Sequence, residues 1–244
     1  MKTRFEDKAK ARSAVWDELQ EQGVACFPFP PHHRIPNFSG AKAAAEALFK
    51  EEPWASAQTM KINPDAPQRF VRELALRRGV TLFIPTPRLR GGFFRVDPSK
   101  IPVDKIREAA SLSKGARWSE AIPLSELPRI DAIVTGSVAV TKEGKRCGKG
   151  EGYADLEYAI LRELGLPPTP VATTVHDLQV VQNFPTEDSD LPVALIVTPN
   201  QIIRTGAREK EEARIHWEKL NEKRLEEMPV LKDLRMALDS SNNP

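Results

Sequence analysis

Apolar positions recur along this chain at two different periods. Between residues 6 and 22, "EDKAKARSAVWDELQEQ", Ala11, Val15 and Leu19 fall at i, i+4 and i+8 among good helix formers, and Gly23 stands where a helix commonly ends. Four further helices are predicted the same way. They are "AKAAAEALFK" after "PNFSG", with Ser39 as a candidate N-cap; "PQRFVRELALRRG", with Pro67 early and Gly79 past its end; "VDKIREAASLS"; and "ADLEYAILREL", closed by Gly165. Short continuous apolar runs read instead as strands covered on both faces: "VTLFIPTP", "IDAIVTGSVAVT" (the strongest), "PVATTV" and "PVALIVTP". From Ala207 on, "AREKEEARIHWEKLNEKRLEEM" reads as a charged helical stretch with Ile215 and Leu220 turned inward. Helices alternating with buried strands predict an α/β fold around a mostly parallel sheet.

Composition narrows the function classes. The 244 residues are 40% hydrophobic, enough for one sizeable core, and neither a repeat nor a low-complexity linker divides them. Lys+Arg 36 against Asp+Glu 34 leaves a formal charge of +2, which argues against a nucleic-acid partner unless charge clusters locally. Cys26 and Cys147 are too few and too far apart for a disulfide framework or zinc site, which fits a reducing, cytoplasmic setting. No apolar run reaches the ~18 residues of a membrane span.

The stretch "RCGKGEGYADLEYA", Arg146 to Ala159, joins the strongest strand to a helix. Gly148, Gly150 and Gly152 alternate with Lys149 and Glu151. Alternate glycines let main-chain N–H groups turn toward one point and let a ligand approach the backbone. If Tyr153 opens a helix, that point lies at its N-terminus, which favours phosphate oxygens. Arg146 and Lys149 add cations, and Asp155 in the first turn suits Mg2+ on a phosphate. The same residues serve equally as a glycine-rich hairpin loop with exposed charges. They match neither a Rossmann fingerprint nor a Walker A loop.

"RCGKGEGYAD" resembles the Arg-x-Gly-x-Gly-x-Gly-Tyr-Tyr-Asp signature of the 5-formyltetrahydrofolate cyclo-ligase family. Lys8 and Arg12 match two basic residues on that family's first helix. "VTLFIP" is similar to its strand ending in proline, and "HDLQVVQNFPTEDSDLPVALIVTP" to its closing segment, so the resemblance runs over roughly residues 8 to 200. "FPFPPHHRIPNFSGA", "PTPRLRGG" and "GKGEGYADLEYA" resemble most the side branch of methenyltetrahydrofolate synthetase domain-containing proteins.

The resemblance implies a NagB/RpiA/CoA-transferase-like layered α/β domain over residues 1–206, leaving 207–244 as a charged helical extension packed on it. It implies ATP held by Lys8, Arg12, Arg146, Gly148, Lys149, Gly150, Glu151, Gly152 and Tyr153, and Mg2+ held by Asp155 and Asp190, with Glu187 and Asp188 as rival ligands. The implied reaction is ring closure. The formyl oxygen of 5-formyltetrahydrofolate attacks the γ-phosphate, N10 closes on the activated carbon, and phosphate leaves to give 5,10-methenyltetrahydrofolate. Arg146, Lys149 and Tyr153 are the catalytic candidates. The family's second motif tyrosine is Ala154 here, its pterin-side glutamate is missing from "AQTMKINPDAP", which offers Lys61 and Asn63, and an aspartate before the last strand is Ala194. The side branch's general link to thiamine metabolism therefore keeps a thiamine-related or other non-folate substrate open beside a reduced folate. Such a protein would work as a monomer or homodimer.

Other residues bear on the substrate side. His32, His33 and Arg34 lie in the proline-locked "FPPHHRIPNF", either reaching a pocket or forming a rigid connection. His176 follows the strand "VATTV", where Asp177 could orient it for proton transfer or where "HD" simply begins a turn. Arg88 and Arg90 in "PTPRLRGG" suit an anionic tail. A non-catalytic RNA-binding module would use Arg72, Arg77, Arg78, Arg88, Arg90 and Lys114, but no recognised RNA signature accompanies them.

Overall fold

The structure, a computed structural model, describes residues 4–111 and 113–241. In chain order the elements are α1 (Lys8–Glu21), β1 (Ala25–Cys26), β2 (Asn37–Phe38), α2 (Ala41–Leu48), β3 (Thr59–Ile62), α3 (Arg69–Arg77), β4 (Thr81–Pro85), β5 (Phe93–Val96), α4 (Ile106–Ala109), β6 (Ser119–Ile122), β7 (Ala132–Thr135), β8 (Ala139–Thr141), β9 (Arg146–Cys147), α5 (Tyr153–Glu163), β10 (Val171–Thr174), β11 (Val180–Val181), β12 (Leu195–Val197), β13 (Ile202–Arg204), α6 (Glu222–Glu227) and α7 (Pro229–Ser241). No described helix is long and apolar enough to cross a membrane.

Eight strands form the main sheet in the order β13-β12-β10-β7-β3-β4-β5-β6. The five from β12 to β4 are parallel, while β13 and the β5–β6 pair close the two edges antiparallel. Alternate residues of the parallel strands feed two cores, as expected of a sheet covered on both faces. Ala132, Val134, Leu82, Ile84, Leu195 and Val197 face a cluster built with α2, α3 and α4. Ile133, Phe83 and Ile196 face the other, built with α5 and α7. A three-stranded sheet, β11-β8-β9, carries α1, whose Ala11, Val15, Trp16 and Leu19 pack on Val138, Ala139 and Cys147.

Several expectations are refined. Asp7 caps α1, its carboxylate accepting from the Lys10 N–H at 2.7 Å, and Gly23, with φ +64°, ends it. Gly40, not Ser39, stands at the start of α2: it lies so tightly against Pro199 that a Cβ there would sit 2.6 Å from the proline ring. "IDAIVTGSVAVT" is two strands, because the chain leaves the main sheet at Gly136 and enters the small one as β8. "VDKIREAASLS" is helical only as α4 behind one 3-10 turn, and its Leu112 lies outside the described residues. From Ala207 to Asn221 no α-helix forms. Ala213 and Ile215 are buried at a spacing of two, an extended period, and helix begins only at Glu222. Residues 242–244 lie outside the described part.

Candidate functional site

The parallel strands end on one side of the molecule, and the segments leaving β3, β4 and β7 there border a cleft of about 890 Å³. Its floor is the glycine hook. Gly150 adopts φ +107° and Gly152, at the N-terminus of α5, φ +70°, conformations costly for a residue with a Cβ. Among the described residues, the main-chain N–H groups of Lys149, Gly150 and Gly152 donate to no protein acceptor. Arg12 of α1 braces the hook, its Nε–H donating to the Gly148 carbonyl at 2.9 Å, with the guanidinium about 3.5 Å from where a Gly150 Cβ would lie.

Arg146 and Asp155 lock the hook to the helix behind it. The guanidinium of Arg146, 5% exposed, donates to the Gly136 carbonyl at 3.1 Å and to Asp155 at 2.8 Å. The same Asp155 oxygen accepts the Leu191 N–H at 2.9 Å. Burial pushes the Asp155 carboxyl up, but Arg146 and the Leu191 N–H outweigh it and hold the group below the usual carboxylate range. Lys8 engages both oxygens of Asp190 at 2.5 Å, and Asp190 also accepts the Glu187 N–H at 2.7 Å. Asp155 and Asp190 are thereby brought together, the residue after Asp190 bonding to Asp155. They reach the cleft from segments far apart in sequence, a donor set that fits Mg2+, a hard cation needing few protein oxygens.

The opposite wall carries residues that sequence reasoning missed or left unpartnered. Lys61, 1% exposed, makes an ion pair with Glu157 of α5 and donates to the Asn63 side chain at 3.0 Å, while Asn63 donates to Glu157 at 3.1 Å. Lys61 and Asn63 share one face of β3 and its extension, but nothing local points to a carboxylate 96 positions away. Beside them Asp65 lies close over Gly136, where a Cβ would sit 2.6 Å from its carboxylate. That carboxylate accepts no hydrogen bond among the described residues. Burial pushes it above the usual range, against the pull of Lys149. Arg72 is fully buried and donates to the carbonyls of Asn63, Asp65 and Ala110, and burial lowers it to about 10. It is therefore no surface cation for RNA, and Arg77 of the same set pairs with Glu73 at 3.0 Å.

A second cleft, about 1230 Å³, joins the first where Asp65 and Lys149 border both. His32, His33 and Arg34 line it, the two imidazoles flanking Trp16 at 5.7 and 5.5 Å between ring centres, with His32 bonded to Asp17 at 2.8 Å. Arg88 lines the first cleft, whereas Arg90 and His176 line neither. His176 caps a turn, its Nδ1 accepting the Leu178 N–H. Asp177 accepts from Thr198, Asn200 and Gln201 rather than orienting the imidazole, so the pair begins a turn. Cys147 is buried, and burial pushes its thiol up, consistent with a packing role.

Residues 6–199 match the model of the 5-formyltetrahydrofolate cyclo-ligase family. The chain is 44% identical over 235 residues to a methenyltetrahydrofolate synthase domain-containing protein of Bos taurus, a match covering 93% of this chain and 62% of that protein. It thus spans about three fifths of the length of the curated relatives it matches. It is 32% identical over 83 residues to the 5-formyltetrahydrofolate cyclo-ligase of Escherichia coli (strain K12), covering 34% of this chain and 42% of the other. The NMR structure of 5,10-methenyltetrahydrofolate synthetase from Aquifex aeolicus superposes with a TM-score of 0.51 at 16% identity, over 86% of this chain and 98% of that one. That likeness is one of fold, the NagB/RpiA/CoA-transferase-like arrangement of helices around a mostly parallel sheet.

Proposed function

The chain belongs to the 5-formyltetrahydrofolate cyclo-ligase family, and from that premise we propose that it is an ATP- and Mg2+-dependent ligase closing 5-formyltetrahydrofolate to 5,10-methenyltetrahydrofolate. The observation that carries this reading is convergence: Lys8 and Arg12 of α1, the hook at 148–152, Asp155, and Asp190 meet at one cleft. The hook's N–H groups and the cations Arg12 and Lys149 suit a triphosphate. Asp155 and Asp190 would hold Mg2+, which when bound neutralises charge on phosphate oxygens. Arg146 acts through its bonds to Gly136 and Asp155, keeping the hook in register with α5. Across the cleft, Asp65 offers carboxylate oxygens without partners to the N–H-rich edge of a pterin. The chemistry is carried by the two substrates, and the protein's part is to orient them and to oppose developing charge.

The test is direct. Purified protein with ATP, Mg2+ and 5-formyltetrahydrofolate should develop the absorbance of the 5,10-methenyl product. A flat trace from folded protein that still binds ATP would remove the folate reading. A second reading keeps the nucleotide and changes the substrate to a thiamine-related or other small metabolite. It draws on Ala154, which removes an aromatic surface from the motif, and on the second cleft. ATP consumption across a panel of such compounds, with none from the folate, would favour it.

A further inference from the structure

The segment after the last strand, residues 207–221, lies beyond the residues matched by the family model. Yet Lys210, Glu212, Arg214 and His216 line the same cleft as the glycine hook. The match to the bovine relative spans 93% of the chain, and the 7% left over is shorter than the stretch following Asn221. The segment therefore falls within what this chain shares with the domain-containing relatives, whichever end that match starts from.

This segment is seated rather than trailing. Arg162 of α5 donates to the Glu211 carbonyl at 3.3 and 3.1 Å, and the Ile215 N–H donates to Glu163 of α5 at 3.1 Å. Ala213 and Ile215 are buried in the core under that helix. Lys210 Nζ donates to the carbonyls of Asp188 and, at 3.1 Å, Asp190. Its anchors are thus the two elements that carry Asp155 and Asp190.

We propose that this strap is a working wall of the site and that Lys210 contacts phosphate oxygens of the bound nucleotide, an assignment that rests on the ATP-dependent reading above. Lys8 and Arg146 also reach the cleft, but each is engaged by a carboxylate. Among the described residues Lys210 donates to carbonyl oxygens and to no carboxylate, although Asp155, Asp190 and Asp188 lie within electrostatic reach of it; an ammonium with two donors engaged has a third to offer an incoming anion. Arg12 lines the same cleft, bonded to the Gly148 carbonyl and the neutral Cys147 thiol.

Calorimetric titration of the full chain with Mg·ATP tests this. Lys210→Met and Lys210→Gln should each weaken binding about ten- to hundredfold, the loss typical of a hydrogen bond to a charged group. Lys210→Arg should restore it, and Lys50→Ala, at an exposed position that lines neither cleft, should leave it unchanged. The glutamine variant keeps donors for the two carbonyls, so folding is preserved if the methionine variant fails. Lys210→Gln binding like the parent while Arg12→Gln binds weakly would overturn the assignment and leave the nucleotide reading standing. A change confined to the KM of the other substrate would also overturn it. No uptake of Mg·ATP by the parent protein would overturn both.

Discussion

Glu157→Gln leaves the Lys61 ammonium almost wholly buried, with a neutral amide where its carboxylate partner stood. Removing one member of a buried ion pair costs about 3–5 kcal/mol. Chains of this size lose about 2–4 °C of Tm per kcal/mol, so Glu157→Gln should melt about 6–20 °C below the parent. Lys61→Met with Glu157→Leu removes both charges and should recover part of the loss, the remainder reflecting the Asn63 amide left without partners. Urea denaturation of the parent, Glu157→Gln and the double variant at pH 7 measures both differences. A single variant within about 1 kcal/mol of the parent, or a double variant no more stable than the single, would refute the argument.

Asp65 carries a folded-state value raised by burial, so its contribution is favourable below the unfolded value of about 3.9 and is lost as pH climbs through the folded one. Asp65→Asn should therefore raise Tm more at pH 7.5 than at pH 4.5 while reducing turnover, and equal shifts in melts at the two pH values would contradict this. Asp155 is held low, so its contribution is present above about 3.9 and fades as pH falls through the folded value; acid titration of Asp155→Asn, followed by circular dichroism, should show a shallower loss than the parent. Gly150→Ala puts a Cβ at φ +107° and should cost about 1–3 kcal/mol of stability, with nucleotide affinity falling further than that; affinity unchanged in calorimetry would exclude the hook from binding.

What the chain determined by itself is what depends on near neighbours. Ala11, Val15 and Leu19 at helical spacing, all buried, and the strands at 81–85, 132–135, 171–174 and 195–197 follow from period and from glycines at element ends, signals contained in a few residues. The hook at 148–152 was legible because its conformation is a property of those residues. The strands at 93–96 and 119–122 carry no such signal, since polar residues interrupt them, Arg95 in the first and Ser119 and Glu120 in the second. Tertiary structure alone decided that the run from 130 to 141 breaks at Gly136 between two sheets. It also decided that Lys61 finds its carboxylate on α5, that Asp65 borders the same cleft as the hook, and that 207–221 lies along that cleft without forming an α-helix. Each of these depends on groups brought together across tens to hundreds of residues, where burial and pairing energies outweigh the local preferences that a sequence displays.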